Sequence, residues 1–216
     1  ISIPAFKSLL SSCLVVWGIS FSTKEVALSI NIPVGSPFLS FSILPPWGSI
    51  DSELIPQTTK QEDKRDLKAG IDSNVSLGWT QVQIAGGTFS DIEILEEIKE
   101  EGNLLQRVYF AVSAGEPAET LLKLGPKLDP DNMLTIRGIK LYADGALGSR
   151  GAALLEKYED QDTTGLLIFT KEETLPVLKE ALKKGIQIQT HAIGDKGNRI
   201  TLDWYQEAFN SIVDEE

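Results

Sequence analysis

Four β-prone runs, each stopped by a turn and followed by a helical pattern, constrain this chain more than any other feature. Trp79-Thr80-Gln81-Val82-Gln83-Ile84-Ala85 alternates with a period of two and stops at Gly86-Gly87. The second run is Arg107-Val108-Tyr109-Phe110-Ala111-Val112. The third, Gly138-Ile139-Lys140-Leu141-Tyr142-Ala143, breaks at Asp144-Gly145. The fourth, Gly185-Ile186-Gln187-Ile188-Gln189-Thr190, ends at His191 and breaks at Gly194-Asp195.

Helical patterns surround these runs. Thr59 to Asn74 reads as a charged surface helix. Ser90 or Asp91 caps a helix to about Glu101, with Ile92, Ile94, Leu95 and Ile98 on one face and Gly102 just past its end. A short helix lies near Pro117 to Leu124, followed by a loop through Pro126 and Pro130. Thr170 with Glu173 forms a capping box for a helix to Lys184, whose buried stripe is Leu175, Leu178, Ala181 and Leu182. Pro176 removes one backbone donor and is expected to shift the start of that helix a few residues on. A last helix runs from about Gly197 to Val213, using Ile200, Leu202, Trp204, Ala208 and Phe209. Alternation of strands and helices means parallel β/α units, hence an α/β fold. Four units make half of an eight-stranded barrel or a small open sheet.

A chain of 216 residues buries one sizeable core in one or two domains. The net charge of −11 argues against a nucleic-acid partner and against adhesion to anionic lipid. Cys13 is the only cysteine, so cysteine-rich zinc sites and internal disulfides are excluded and no oxidising compartment is signalled. The compartment stays unassigned, with the cytoplasm favoured.

The N-terminal segment differs from the rest. Residues 1–50 hold only Lys7, Lys24 and Glu25, a net +1, so residues 51–216 carry −12. Ser8 to Thr23 is uncharged but short for a membrane span, and no clean cleavage site follows it. Residues 1–57 are left unassigned, as a truncated signal or anchor, an irregular segment or a misread one; residues 58–216 carry the β/α pattern. The first residue is Ile, which fits a piece of a longer protein.

Lys140 and His191 sit near the ends of two strands, where barrels of parallel strands build their sites. A strand-end lysine can simply reach to water. A buried one is pushed toward the neutral amine, which can add carbon dioxide to form a carbamate, an anionic bidentate metal ligand. His191, the only histidine, can be a core residue bonded to a carbonyl or a ligand for zinc or iron. Asp144 and Asp195 beside glycines can be ordinary turn residues. Glu96-Glu97-Lys99-Glu100-Glu101 reads as a solvated helix face.

Lys140 to Arg150, Gly165-Leu166-Leu167, and His191-Ala192-Ile193-Gly194-Asp195-Lys196-Gly197-Asn198 closely resemble the amidohydrolase-3 family, the YtcJ-like branch of the metal-dependent amidohydrolases. The similarity covers about residues 58–213, including Leu77-Gly78-Trp79-Thr80. The resemblance implies a TIM-like barrel with catalytic metals at the strand C-termini. It implies a carboxylated Lys140 bridging two metals, zinc being favoured, and His191 as a ligand from the fifth strand. Asp144 is assigned to the catalytic site beside them. A metal-bound water would attack a small-molecule amide or related carbon–nitrogen bond.

The resemblance also exposes gaps. The family pattern includes a His-x-His pair at the first strand, another His after the fifth and an Asp at the eighth; with one His the chain lacks the pair and the later His. The expectation is therefore a partial TIM-like barrel, an internal fragment of a hydrolase of non-peptide carbon–nitrogen bonds, inactive alone and prone to self-association through open strand edges. The alternative is a non-catalytic α/β binding or scaffold module derived from the family.

Overall fold

The computed structural model describes residues 58–213, so the unassigned segment 1–57 and the uncharged run within it lie outside the described residues. The elements in chain order are α1 (Lys60–Ser76), β1 (Gln81–Ala85), α2 (Phe89–Glu100), β2 (Arg107–Ser113), α3 (Glu116–Leu124), β3 (Lys127–Leu128), β4 (Leu134–Tyr142), α4 (Lys171–Lys183), β5 (Gln187–His191) and α5 (Asp195–Val213). Strands follow one another in the sheet as β1-β2-β4, and β4 carries both β3 and β5 on its far side. The chain divides into two units. Each has its own packing.

One unit holds residues 58–84 and 90–108. Thr59 starts α1 with a reciprocal capping box: its side chain accepts from the Glu62 N–H while the Glu62 carboxylate accepts from the Thr59 N–H. On α2 the predicted stripe Ile92, Ile94, Leu95 and Ile98 is buried. Lys60 and Lys64 of α1 meet Glu97 at 2.6 and 2.8 Å, and Lys64 also meets Glu101 at 2.7 Å. The acidic run is thus solvated but also cross-linked to α1. Arg107 N–H donates to Thr80 C=O and begins the β1–β2 ladder. Trp79 and Thr80 precede β1 rather than belonging to it.

The other unit holds residues 85–89 and 109–213. Gly86 N–H donates to Ala111 C=O, and Ser113 N–H to Gly87 C=O, so both chains advance in the same direction and β1 and β2 run parallel. β4 and β5 are parallel, with Lys140 opposite Gln189 and Tyr142 opposite His191. Gly138 marks the approach of β2 to β4: a Cβ there would lie 2.7 Å from the Ala111 Cβ. The four expected strands are neighbours in the expected order, in the α/β succession of a partial TIM-like barrel.

Several expectations need correction. β4 begins at Leu134, four residues early, because its first part pairs with β3, antiparallel, in a segment expected to be loop (Lys127 opposite Ile136, Leu128 opposite Thr135). Helix α4 begins at Lys171 despite Pro176, because the Thr170–Glu173 capping box fixes its start. Of its expected stripe Leu178 and Ala181 are buried, while Leu175 and Leu182 are half-buried and Thr174 joins the buried line instead. On α5 the buried positions are Gly197, Thr201, Trp204 and Ala208, one face at helical spacing, which leaves Leu202 and Phe209 exposed beside it. α5 starts at Asp195, two residues before the expected Gly197.

Candidate metal and carbonyl-chemistry site

Alternation along β4 builds the site. Leu134, Ile136, Gly138, Lys140 and Tyr142 share one face, since side chains repeat every second residue. The first three are buried and the last two half-buried, so the face passes from dry to polar toward the C-terminal end of the strand. Residues in parallel register share a face, which puts Gln187, Gln189 and His191 of β5 beside them. Tyr109 of β2 belongs to the same face and donates its hydroxyl hydrogen to Gln187 Oε1 at 2.7 Å.

Lys140 is held in this face with its stem against Gly86: a Cβ on Gly86, where φ is +109°, would sit 3.7 Å from Lys140 Cγ, 3.7 Å from the Tyr142 hydroxyl and 3.5 Å from Ser113 Oγ. Burial lowers the Lys140 pKa below the usual lysine value. Its Nζ lies 4.9 Å from the centroid of the Tyr142 ring, a contact that favours the charged amine and so opposes burial. On its other flank the Tyr142 ring meets the His191 ring, with centroids 5.5 Å apart and planes tilted by 44°.

Asp144 follows β4 and is wholly buried. Its Oδ2 accepts from the Ala153 N–H at 2.9 Å and the Gly194 N–H at 2.7 Å, and Oδ1 accepts from the Ile193 N–H at 2.9 Å. His191 Nε2 lies 3.7 Å from Asp144 Oδ1, beyond a good hydrogen bond, with the histidine side chain 21% exposed. Three backbone donors satisfy the carboxylate, so Asp144 ties the loop after β4 to the turn after β5. Asp195, the other turn aspartate, accepts from Leu155 N–H at 2.9 Å and Lys196 N–H at 2.8 Å and pins the same loop to the start of α5.

The glycines of this region are there for clearance. A Cβ on Gly194 would fall 1.9 Å from the Ala153 carbonyl oxygen, and one on Gly197 2.6 Å from Asp144 Oδ2. Gly165, at φ +76°, would place a Cβ 1.9 Å from the Ala152 oxygen. Ala153 C=O in turn accepts from the Lys196 and Gly197 N–H groups at 3.1 Å, so it fills two of the open donors at the start of α5.

Lys140 and His191 therefore lie on paired strands and one face, with Tyr142 between them and Asp144 behind His191. Tyr142, Ser113 and Gln189 were not singled out in the sequence; parity along β4 puts Tyr142 on the face of Lys140 but does not show that it stands opposite His191. Gln189 Nε2 is buried on this face without a hydrogen-bond partner. Among the described residues no group of three or more His, Cys, Asp or Glu side chains is placed to hold a metal ion. Lys140 and His191 have the right donor chemistry for a divalent ion, one as the precursor of an oxygen ligand and one as an imidazole, but two donors are only part of a closed shell.

The model of the amidohydrolase family matches residues 46–211. The chain belongs to the amidohydrolase family. The match begins inside the segment that the sequence pattern left unassigned. Among solved structures, the chain is similar to an uncharacterized metal-dependent hydrolase from Pyrococcus furiosus, with 33% identity and a TM-score of 0.64 over 73% of this chain and 33% of that one. It is 25% identical to Protein LONG AFTER FAR-RED 3 of Arabidopsis thaliana, over 82% of this chain and 32% of that protein. A stretch of 58 residues, 26% of this chain and 11% of the relative, is 43% identical to YtcJ of Bacillus subtilis. The chain thus spans about a third or less of the length of these relatives. Hydrolase chemistry is the family's general character, and no described helix is long and apolar enough to cross a membrane.

Proposed function

We propose that the chain carries part of the metal centre of a hydrolase that cleaves non-peptide carbon–nitrogen bonds in small amides or related molecules. The observation that carries this reading is the placement of Lys140 and His191 on paired parallel strands, on one face, at the C-terminal ends of β4 and β5. Lys140, its charge disfavoured by burial, would serve as a carboxylated ligand, and His191 as an imidazole ligand. The divalent ion, zinc by preference and one or two in the whole protein, would supply a water acidic enough to be hydroxide near neutral pH. Asp144 belongs to the catalytic site as a positioning residue: its three backbone hydrogen bonds fit it to hold the loops around His191.

With two such ligands, these 216 residues alone hold zinc weakly and hydrolyse nothing above a metal-in-buffer control. The test is to strip and re-add zinc, quantify bound metal, and assay an amide and cyclic-amide panel beside Lys140→Ala and His191→Ala. Zinc uptake that both substitutions reduce supports the ligand assignment; turnover abolished by both would show that a full shell is assembled, from a second copy for example. One observation favours a second reading, a non-catalytic α/β binding or scaffold module: among the described residues no cluster of three metal-ligating acids, histidines or cysteines exists. Zinc uptake indifferent to both substitutions would favour the module.

A further inference from the structure

We infer that Tyr142 is a positioning residue that sets the geometry between Lys140 and His191. The inference rests on the reading of those two residues as metal ligands for its consequence, but its geometric content stands on contacts within one face of the sheet. Tyr142 is two residues after Lys140 on β4 and directly opposite His191 on β5, so its ring neighbours both on one face. It does reach both. The Lys140 amine lies 4.9 Å from its centroid and the His191 ring 5.5 Å from it, tilted by 44°.

The ring is itself constrained. Its hydroxyl lies 3.7 Å from where a Cβ on Gly86 would be, next to the Lys140 stem and Ser113 Oγ, so the absence of a side chain at Gly86 leaves the space in which ring and lysine lie together. A tilted ring pair is a preferred aromatic geometry, and a ring face attracts a cation. The Tyr142 ring thus limits the rotation of the imidazole and the swing of the lysine at once. The hydroxyl is not needed for either contact. The prediction is therefore specific to the ring.

The single histidine makes the test direct, because every imidazole resonance of the protein belongs to His191. Imidazole NMR spectra of the zinc-free chain are recorded at pH 8 for the wild type, Tyr142→Phe, Tyr142→Leu and Tyr142→Met. The two ringless variants guard against one failing to fold, and thermal unfolding checks each. Tyr142→Phe is expected to keep both imidazole carbon-bound proton resonances near their wild-type positions. Leu and Met are expected to move both, through the lost ring current, and to broaden them. Zinc titration of the same proteins is expected to weaken by roughly tenfold or more in Leu and Met and to change little in Phe, the usual scale for a residue that orients a ligand. Imidazole resonances that stay put in the ringless variants, or move as far in Phe as in Leu, would overturn the inference. Shifted resonances with zinc binding absent from every protein would leave the positioning intact and sink the ligand reading instead.

Discussion

The Asp144 carboxylate accepts a hydrogen bond from the Gly194 N–H at 2.7 Å, joining two loops fifty residues apart in the chain. The same carboxylate takes the Ala153 and Ile193 N–H groups, so two oxygens serve three backbone donors in a position closed to bulk solvent. Asp144→Ala orphans all three and is expected to cost about 3 kcal/mol or more. Asp144→Asn is expected to cost nearly as much, because an amide keeps one acceptor oxygen and turns a donor toward donors. Urea unfolding of the two variants checks this; an Asn variant as stable as the wild type would mean that charge and acceptor count are irrelevant there.

Glycine substitutions separate clearance from habit. Gly194→Ala puts a methyl group 1.9 Å from the Ala153 oxygen, backbone against backbone, and is expected to abolish the loop packing and the folded yield. Gly70→Ala is the opposite case. Gly70 lies inside α1, with nothing within 4 Å of the place a methyl group would take, so alanine should stabilise the helix by about 0.5–1 kcal/mol. Melting temperatures of the two variants should move in opposite directions.

Acid should loosen the α1–α2 pairing. Hydrogen bonds from Lys60 and Lys64 lower the Glu97 pKa to about 2, below its usual 4.5. A carboxylate with a depressed pKa contributes stability that is fully present above the unfolded value and is lost as pH falls through the folded one. The Glu97 contribution should therefore hold above about pH 5 and fade between about 4.5 and 2. Lys60 is exposed and Lys64 and Glu97 only half-buried, so the effect is small and screened by salt. Glu97→Gln should flatten the pH dependence of the melting temperature in that window; an identical slope in the variant would falsify the assignment.

Local signals made much of this fold readable. β1 ended at Gly86, whose φ of +109° turns the chain, and Thr170 with Glu173 announced the start of α4 through bonds spanning three residues. What failed depended on remote partners. β3 is two residues long, and nothing in Lys127-Leu128 marks it except its pairing with Ile136 and Thr135. Leu202 and Phe209 looked like core because they are apolar, but the face of α5 that packs is chosen by Trp204 and Ala208. At the site, Lys140 and His191 were legible as strand-end residues of rare chemistry. Tyr142 was not, since its role depends on the β4–β5 register that places it opposite His191. Asp144 was assigned to the catalytic site only with the resemblance, and its sequence surroundings alone allowed a plain turn, because its three donors come from residues 153, 193 and 194.

The last prediction concerns Lys140 and the cost of keeping an amine in that face. Burial is the cause that lowers its pKa. A depressed lysine pKa means that the unfolded chain binds the proton more tightly, so this residue opposes folding at neutral pH and opposes it less as pH rises toward 10.5. Lys140→Met keeps the stem volume and removes the charge, at the loss of the Tyr142 contact at 4.9 Å. Burial sets the direction of the shift, so the zinc-free Met variant is expected to melt no lower than the wild type at pH 7. The difference between the two should shrink as pH rises through 10.5, above which the wild-type lysine is neutral in either state. A residue selected for stability alone would show the reverse, with Met melting well below the wild type at pH 7 and the gap unchanged by pH. An amine retained at a stability cost in the polar end of an otherwise dry strand face is what a ligand precursor requires, because only the neutral form can add carbon dioxide.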